Sequence, residues 1–272
     1  MKNILILTDF SDNSWNSITY ALALFQNKRC NFYLLNAVKN SSDEVALGKK
    51  NREEKVDSKK ELELLIHKIS TSQLIGNHKF IPISSEMDII DAARLQISKK
   101  KIDLVVIGTN GMSSNGRQNN ISPTSEDIIT KLKCSILVVP NEALFKELKK
   151  IAFPTDYTNF YEAKLLENIG GLLSFHNTST SFVYMAKKTA KLDKEQCWNK
   201  ETLHDYFLKR PHSFQEEINE NFELSIEKFI KNNNIDLIVM AAKNLNLFEQ
   251  LLFRPKIKNI RYYFETPFLV LH

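Results

Sequence analysis

Three stretches in the first half of this chain recur, in the same order, in the second. Lys149–Thr158 (KKIAFPTDYT) echoes Ile4–Ser11 (ILILTDFS), with Thr, Asp, an aromatic residue and a hydroxyl residue in register. Asn234–Met240 (NIDLIVM) echoes Lys101–Ile107 (KIDLVVI), and Pro267–His272 (PFLVLH) echoes Ser135–Pro140 (SILVVP). Three ordered matches are far beyond chance, so the chain reads as two copies of one domain. The boundary falls near residues 141 to 149, which gives copies of 1–145 and 146–272, each of ordinary domain size.

The echoed stretches are near-continuous apolar runs bounded by turn signals, the pattern of strands buried on both faces of a parallel sheet. In the first copy the strands read as Asn3–Thr8, Asn31–Val38, Lys79–Ser84, Ile102–Ile107 and Ser135–Val139. Between them lie amphipathic helical stripes: Trp15, Ile18, Leu22 and Phe25; Leu62, Leu65, Ile66 and Ile69; Ile90, Ala93 and Ile97; Ile128, Ile129 and Leu132. Strict alternation of strand and helix predicts an α/β fold, a doubly wound parallel sheet with right-handed crossovers in each copy. Residues 40 to 60 read as a charged loop, and the third strand of the second copy lies around Ser213–Phe214, in a stretch from Tyr206 to Phe222 that resists parsing.

Ligands of such sheets bind beyond the carboxyl ends of the strands. Asp9, Ala37 and Gly108 all fall at such ends. After Gly108 come Thr109, Asn110, Gly111 and a polar loop, and then Ser122-Pro123-Thr124-Ser125 with Glu126, which reads as a helix start. A strand that ends in a glycine loop feeding a helix N-terminus can hold phosphate, because free backbone amides and the helix dipole both meet the anion. The plainer alternative is that Gly108 and Gly111 only shape a tight turn, with Asp9 an N-cap and Ala37 a plain strand end. In the second copy Gly108-Thr109-Asn110-Gly111 is replaced by Ala242-Lys243-Asn244-Leu245, followed by Leu247, Phe248, Leu251, Leu252 and Phe253, a segment suited to packing.

Composition narrows the partners. With 43% hydrophobic and 25% charged residues the chain is of ordinary soluble composition. The net charge of +5 arises from 37 basic and 32 acidic residues, and the pairs Lys49-Lys50, Lys59-Lys60 and Lys149-Lys150 and the run Lys99-Lys100-Lys101 are scattered and not interleaved with aromatics. They read as a solvated surface, with neither nucleic acid nor membrane as partner. The N-terminal apolar run is short for a signal peptide, and no stretch approaches the roughly 20 apolar residues of a membrane span. Three cysteines, Cys30, Cys134 and Cys197, lack metal-ligand spacing. A reducing cytoplasm is the expected compartment.

Taken together, Ile4–Ser11, Asp103–Pro140 and Phe248–Pro255 with the terminal Pro267–His272 resemble the universal stress protein family in its tandem two-domain form. The resemblance implies two Rossmann-like domains, each a five-stranded parallel sheet of order 3-2-1-4-5, paired through their fifth strands as an intrachain pseudo-dimer, with a homodimer possible. It also implies a nucleotide site holding ATP, with Mg, or AMP. ATP-binding members carry Gly, two residues, Gly, nine residues, then Gly with Ser or Thr. Gly108 and Gly111 match the first part; the third glycine position holds Ile121, followed by Ser122, or in the other register Ser122 followed by Pro123. The resemblance gives Asp9 a nucleoside contact and Ala37 a backbone contact to adenine, and it places Gly108, Thr109, Asn110, Gly111, Ser122, Thr124 and Ser125 around phosphate. Gly108→Val is expected to remove nucleotide binding and leave the fold intact.

Other chemistry is sparse. His67, His78, His176, His204, His212 and His272 form no close-spaced metal motif. There is no Gly-x-Ser-x-Gly elbow, no Walker lysine motif and no Ser-Gly-Gly-rich first loop. No catalytic residues emerge, and a dedicated enzyme is the weakest expectation. Three readings follow: an adenine-nucleotide-binding regulatory protein of the stress response, with its site in the first copy; a ligand-free dimerising interaction scaffold; and a slow ATP hydrolase.

Overall fold

The structure is a computed structural model that describes residues 1–38, 57–72, 76–109, 121–161, 166–167, 178–186, 191–218, 222–243 and 265–272. The first half contributes β1 (Lys2–Leu7), α1 (Asp12–Leu24), β2 (Cys30–Ala37), α2 (Ser58–Ser70), β3 (Lys79–Ser85), α3 (Ile89–Lys100), β4 (Leu104–Gly108), α4 (Pro123–Lys131) and β5 (Ile136–Val139). The second half contributes β6 (Lys150–Thr155), β7 (Ser179–Ala186), α5 (Lys194–Phe207), β8 (His212–Ile218), α6 (Phe222–Asn233), β9 (Leu237–Ala241) and β10 (Phe268–Leu271).

The strands form one sheet in the order β3-β2-β1-β4-β5-β10-β9-β6-β7-β8. Each half follows the order 3-2-1-4-5, and its internal pairings are all parallel. The two fifth strands meet antiparallel, with Leu269 opposite Leu137. The carboxyl ends of the strands in one half therefore share a sheet edge with the strand starts of the other.

Alternation along each strand sends side chains to two cores. Ile4, Ile6, Phe32, Leu34 and Val106 join Ile18, Leu22 and Phe25 of the α1 region and Leu62 and Ile69 of α2 on one face. Leu5, Leu7, Leu35, Val105 and Ile107 join Ile90 and Ala93 of α3 and Ile128 and Ile129 of α4 on the other. Both cores run on through the second half, with Phe153 and Phe182 on the first face and Ile226, Phe229 and Ile238 on the second. A sheet buried on both sides requires the uninterrupted apolar strands that the sequence carries.

The duplication extends to backbone detail. Asp103 accepts the N–H of Asn3 at 2.7 Å through Oδ2, and Asp236 accepts those of Lys149 and Lys150 at 2.8 and 2.9 Å. Each aspartate thus clips the start of the first strand of its copy to the turn before the fourth. Left-handed φ values recur in pairs at matched positions: 66° at Phe10 and 58° at Tyr157, 49° at Lys101 and 52° at Asn234.

Candidate functional site

In a sheet of order 3-2-1-4-5 the chain reverses its direction of travel between β1 and β4, and the crevice beyond their carboxyl ends is the switch point where such folds hold ligands. In the first copy Asp9 follows β1 there, and Gly108 ends β4 beside it, with Thr109 next in the chain.

The β1–α1 turn is built by its own side chains. Phe10 takes the left-handed conformation, and its N–H donates to Thr8 Oγ1 at 3.1 Å. Asp9 Oδ1 accepts the Ser11 N–H at 3.1 Å and the Ser11 hydroxyl at 2.6 Å. Ser11, not Asp9, is the N-cap of α1, its Oγ accepting the Ser14 N–H at 3.2 Å. Asp9 is therefore fixed two residues before the N-cap, half-buried at the mouth of the crevice.

The β4–α4 side is equally well tied. Ser122 caps α4 by accepting the Ser125 N–H at 3.1 Å, with Pro123 as the first helical residue. The Ser125 hydroxyl donates to the Gly108 carbonyl at 3.1 Å, and the Ser122 N–H donates to the Thr109 carbonyl at 2.8 Å. Gly108, Thr109, Ser122 and Ser125 are thereby one hydrogen-bonded unit, with Thr124 exposed on the first turn of α4. Ala37 ends β2 opposite Ser85, one strand beyond Asp9. Asn110 and Gly111 lie outside the described residues.

Two residues that the sequence reading did not single out enter the site. Asn13, in the first turn of α1, donates through Nδ2 to Thr109 Oγ1 at 3.1 Å across the crevice. Asn36, on β2, donates to the Thr8 carbonyl at 2.8 Å. The side-chain oxygens of both are buried and accept no hydrogen bond from the described residues. Asparagine in a cap-rich turn and at a strand end carries no pattern that marks it out beforehand.

Asn13 also revises the role of Gly108. A Cβ at position 108 would stand 2.8 Å from Asn13 Cγ, with the Asn13 side-chain oxygen closer still. Glycine is needed here for the packing of α1 on β4, so Gly108→Val is not a substitution that spares the fold. In the second copy the strand register sets Leu237 opposite Ile151 as it sets Leu104 opposite Ile4. Ala241, one residue before the Ala242 expected from sequence, therefore takes the place of Gly108. Phe160 takes the place of Asn13 and turns outward to stack on Trp198, ring centroids 5.4 Å apart, which leaves room for the alanine. Asp156 repeats the Asp9 turn, accepting the Thr158 N–H at 3.0 Å and its hydroxyl at 2.8 Å. Leu245 and the hydrophobic segment from Leu247 to Phe253 lie outside the described residues.

Among the described residues no group of three or more His, Cys, Asp or Glu side chains is placed to hold a metal ion. His204 Nδ1 and His212 Nε2, from α5 and β8, do meet at 2.9 Å as a hydrogen-bonded pair. No helix among the described residues is long and apolar enough to cross a membrane.

Comparison with known proteins bears out the resemblance. The profile of the universal stress protein family matches residues 1–140. A universal stress protein from Archaeoglobus fulgidus DSM 4304 superposes with a TM-score of 0.63 at 11% identity, covering 99% of this chain and 97% of that one. A protein from Pseudomonas aeruginosa UCBPP-PA14 assigned to the same family superposes with a TM-score of 0.57 at 8% identity, over 100% of this chain and 93% of that one. The cytoplasmic domain of a prokaryotic cation chloride cotransporter is similar too, with a TM-score of 0.56 at 11% identity over 99% and 94% of the two chains. No curated protein matches the chain in sequence. At these identities the structural likenesses speak for the fold, a doubly wound unit present twice, while the match over residues 1–140 speaks for the family: the chain belongs to the universal stress protein family.

Proposed function

We propose that the crevice between β1 and β4 binds one adenine nucleotide, ATP or AMP, and that the chain acts as a cytoplasmic regulatory protein of the stress response whose output is conformational rather than catalytic. The observation that carries this reading is the placing of Asp9, held by Ser11 at the topological switch point, between the N-termini of α1 and α4. A carboxylate there accepts hydrogen bonds from nucleoside hydroxyls, while the first turn of α4 offers its dipole and the exposed Thr124 hydroxyl to phosphate, on a turn shaped by the paired Ser122 and Ser125. Magnesium would accompany ATP through the phosphates.

Calorimetric titration of the full chain with ATP, ADP and AMP, with and without magnesium, tests the reading. Binding at one site per chain that is lost in Asp9→Ala supports it. A ligand that binds only the folded state must raise the melting temperature. No heat and no thermal shift with any of the three at millimolar concentration overturns it in favour of a ligand-free dimerising scaffold.

A further inference from the structure

The edge of the first half opposite the nucleotide crevice carries one cation at the start of every strand. Lys2 opens β1, Arg29 precedes β2, Lys79 opens β3, Lys101 stands before β4, and Lys133 before β5. The pairings Lys2 with Cys30, Asn31 with Lys79, Ile4 with Leu104 and Val105 with Ile136 set these five within two residues of a common line across the sheet. With strands about 4.8 Å apart, the row spans roughly 19 Å. Lys28 and Lys99, both exposed, flank it. Arg29, Lys79, Lys101 and Lys133 are exposed and take part in none of the ion pairs formed among the described residues. Asp103, just before β4, accepts the Asn3 N–H through Oδ2, and its charge offsets one of the five cations.

Two features separate this row from an ordinary solvated edge. The second copy provides the control: Lys149, Pro211, Asn234 and Glu265 occupy the places of Lys2, Lys79, Lys101 and Lys133, and with the adjoining Lys150, Arg210 and Asp236 its strand starts carry a net charge of +1, against +4 for the five cations and Asp103 of the first copy. Lys101 is also held at a conformational cost. It adopts φ 49° at the end of α3, where the Ile102 N–H closes back on the Ile97 carbonyl at 3.1 Å. That position of the helix-ending motif favours glycine or asparagine, and the second copy has Asn234 there with the same closure, Ile235 N–H to the Ile230 carbonyl at 3.1 Å.

We infer that this row of strand-start cations binds the phosphate backbone of a nucleic acid duplex, independently of sequence. A line of closely spaced cations fits a line of phosphates better than a plane of lipid headgroups. Of the large hydrophobic side chains exposed among the described residues, only Met1 stands at this edge, and the exposed aromatics Phe160 and Trp198 belong to the second copy. Without a ring on which bases can stack, the contact is to backbone, where counterion release supplies the affinity. The site lies across the sheet from the nucleotide crevice and does not depend on it.

The test is fluorescence anisotropy of two unrelated dye-labelled 20-base-pair duplexes titrated with the full chain at 50 and 200 mM KCl. Equal affinity for the two sequences is expected, with a loss on the order of a hundredfold or more between the two salt concentrations if about five phosphates are engaged. The variant Arg29→Glu/Lys79→Glu/Lys133→Glu should weaken binding at least about tenfold. The equally charged control Lys191→Glu/Lys194→Glu/Lys228→Glu should change it by no more than about twofold, since those exposed lysines lie off the row. Lys101→Asn keeps the left-handed turn and should lower the salt slope by about one. Absence of binding at 50 mM KCl, equal weakening in the control variant, or binding to vesicles of anionic phospholipid in place of duplex each overturns the inference.

Discussion

Asn13 and Gly108 fit one another: the Asn13 amide occupies the space a side chain at 108 would need, and its Nδ2 reaches past the glycine to Thr109 Oγ1 at 3.1 Å. The contact ties the first turn of α1 to the end of β4 directly at the crevice, so the same pair that shapes the candidate site also holds two elements of the fold together.

Gly108→Ala should therefore destabilise the protein by about 1–3 kcal/mol, the usual cost of overpacking a tight contact. In an Asn13→Ala background, where Cγ and the amide are gone, the same change should cost under about 1 kcal/mol. Urea unfolding of the four proteins of this cycle measures the coupling. Costs that simply add would show that the glycine serves something other than room for Asn13.

Tyr157 gives the opposite expectation. Its ring is buried and stacks on Tyr184, centroids 5.4 Å apart and planes at 12°, yet its hydroxyl has no hydrogen-bond partner among the described residues. A buried polar group left unpaired costs about 1–3 kcal/mol, so Tyr157→Phe should be neutral or stabilising. Burial also raises the Tyr157 phenol well above its ordinary value of 10.0. With the folded value raised, the stability this contributes is full below pH 10 and is lost above it, and Tyr157→Phe should flatten the alkaline limb of a melting-temperature profile. A fall of more than about 1 kcal/mol in the variant would mean that the hydroxyl is paired in solution.

Much of this was legible in the sequence because the physics was local. Strands buried on both faces need unbroken apolar runs, and those runs, repeated in order, disclosed the sheet and its duplication. Where the reading slipped, tertiary context had reassigned a residue. Ile102 reads as strand but is the apolar residue that closes the end of α3, so β4 begins at Leu104. The α5 helix gave little signal, because its buried positions are Asn199, Leu203 and Phe207 while Trp198 faces outward. Asn199 is buried because its amide donates to the Tyr157 carbonyl at 2.8 Å, a contact between residues far apart in the chain. Asn13 and the cation row were hidden for the same reason. Lysines scattered among five loops look like ordinary surface until the strand register sets them in one line.

His78 predicts a mild acid sensitivity. Both of its ring nitrogens are buried without partners among the described residues, its ring packs edge-on to Phe32 at 4.9 Å, and burial lowers its pKa below the ordinary 6.5. Here the folded state resists protonation while the unfolded chain accepts it near pH 6.5, so stability is full above that pH and falls as the pH drops through it. His78→Phe should remove this part of the slope between pH 7 and pH 5, read by thermal unfolding across the range. An unchanged slope would place the acid sensitivity elsewhere.

Lys101 brings stability and binding into opposition. A non-glycine residue in the left-handed region costs about 1–2 kcal/mol, and asparagine tolerates it best among residues with a side chain. The matched Asn234, at φ 52°, shows the same turn made with that residue. Lys101→Asn should thus raise stability by roughly 0.5–1 kcal/mol in urea unfolding. If the lysine is kept for the cation row, the same variant gains stability while its duplex affinity becomes less sensitive to salt. A variant that is less stable than the parent would mean that the Lys101 side chain contributes contacts of its own, and the conformational argument for a functional cation at that position would fall.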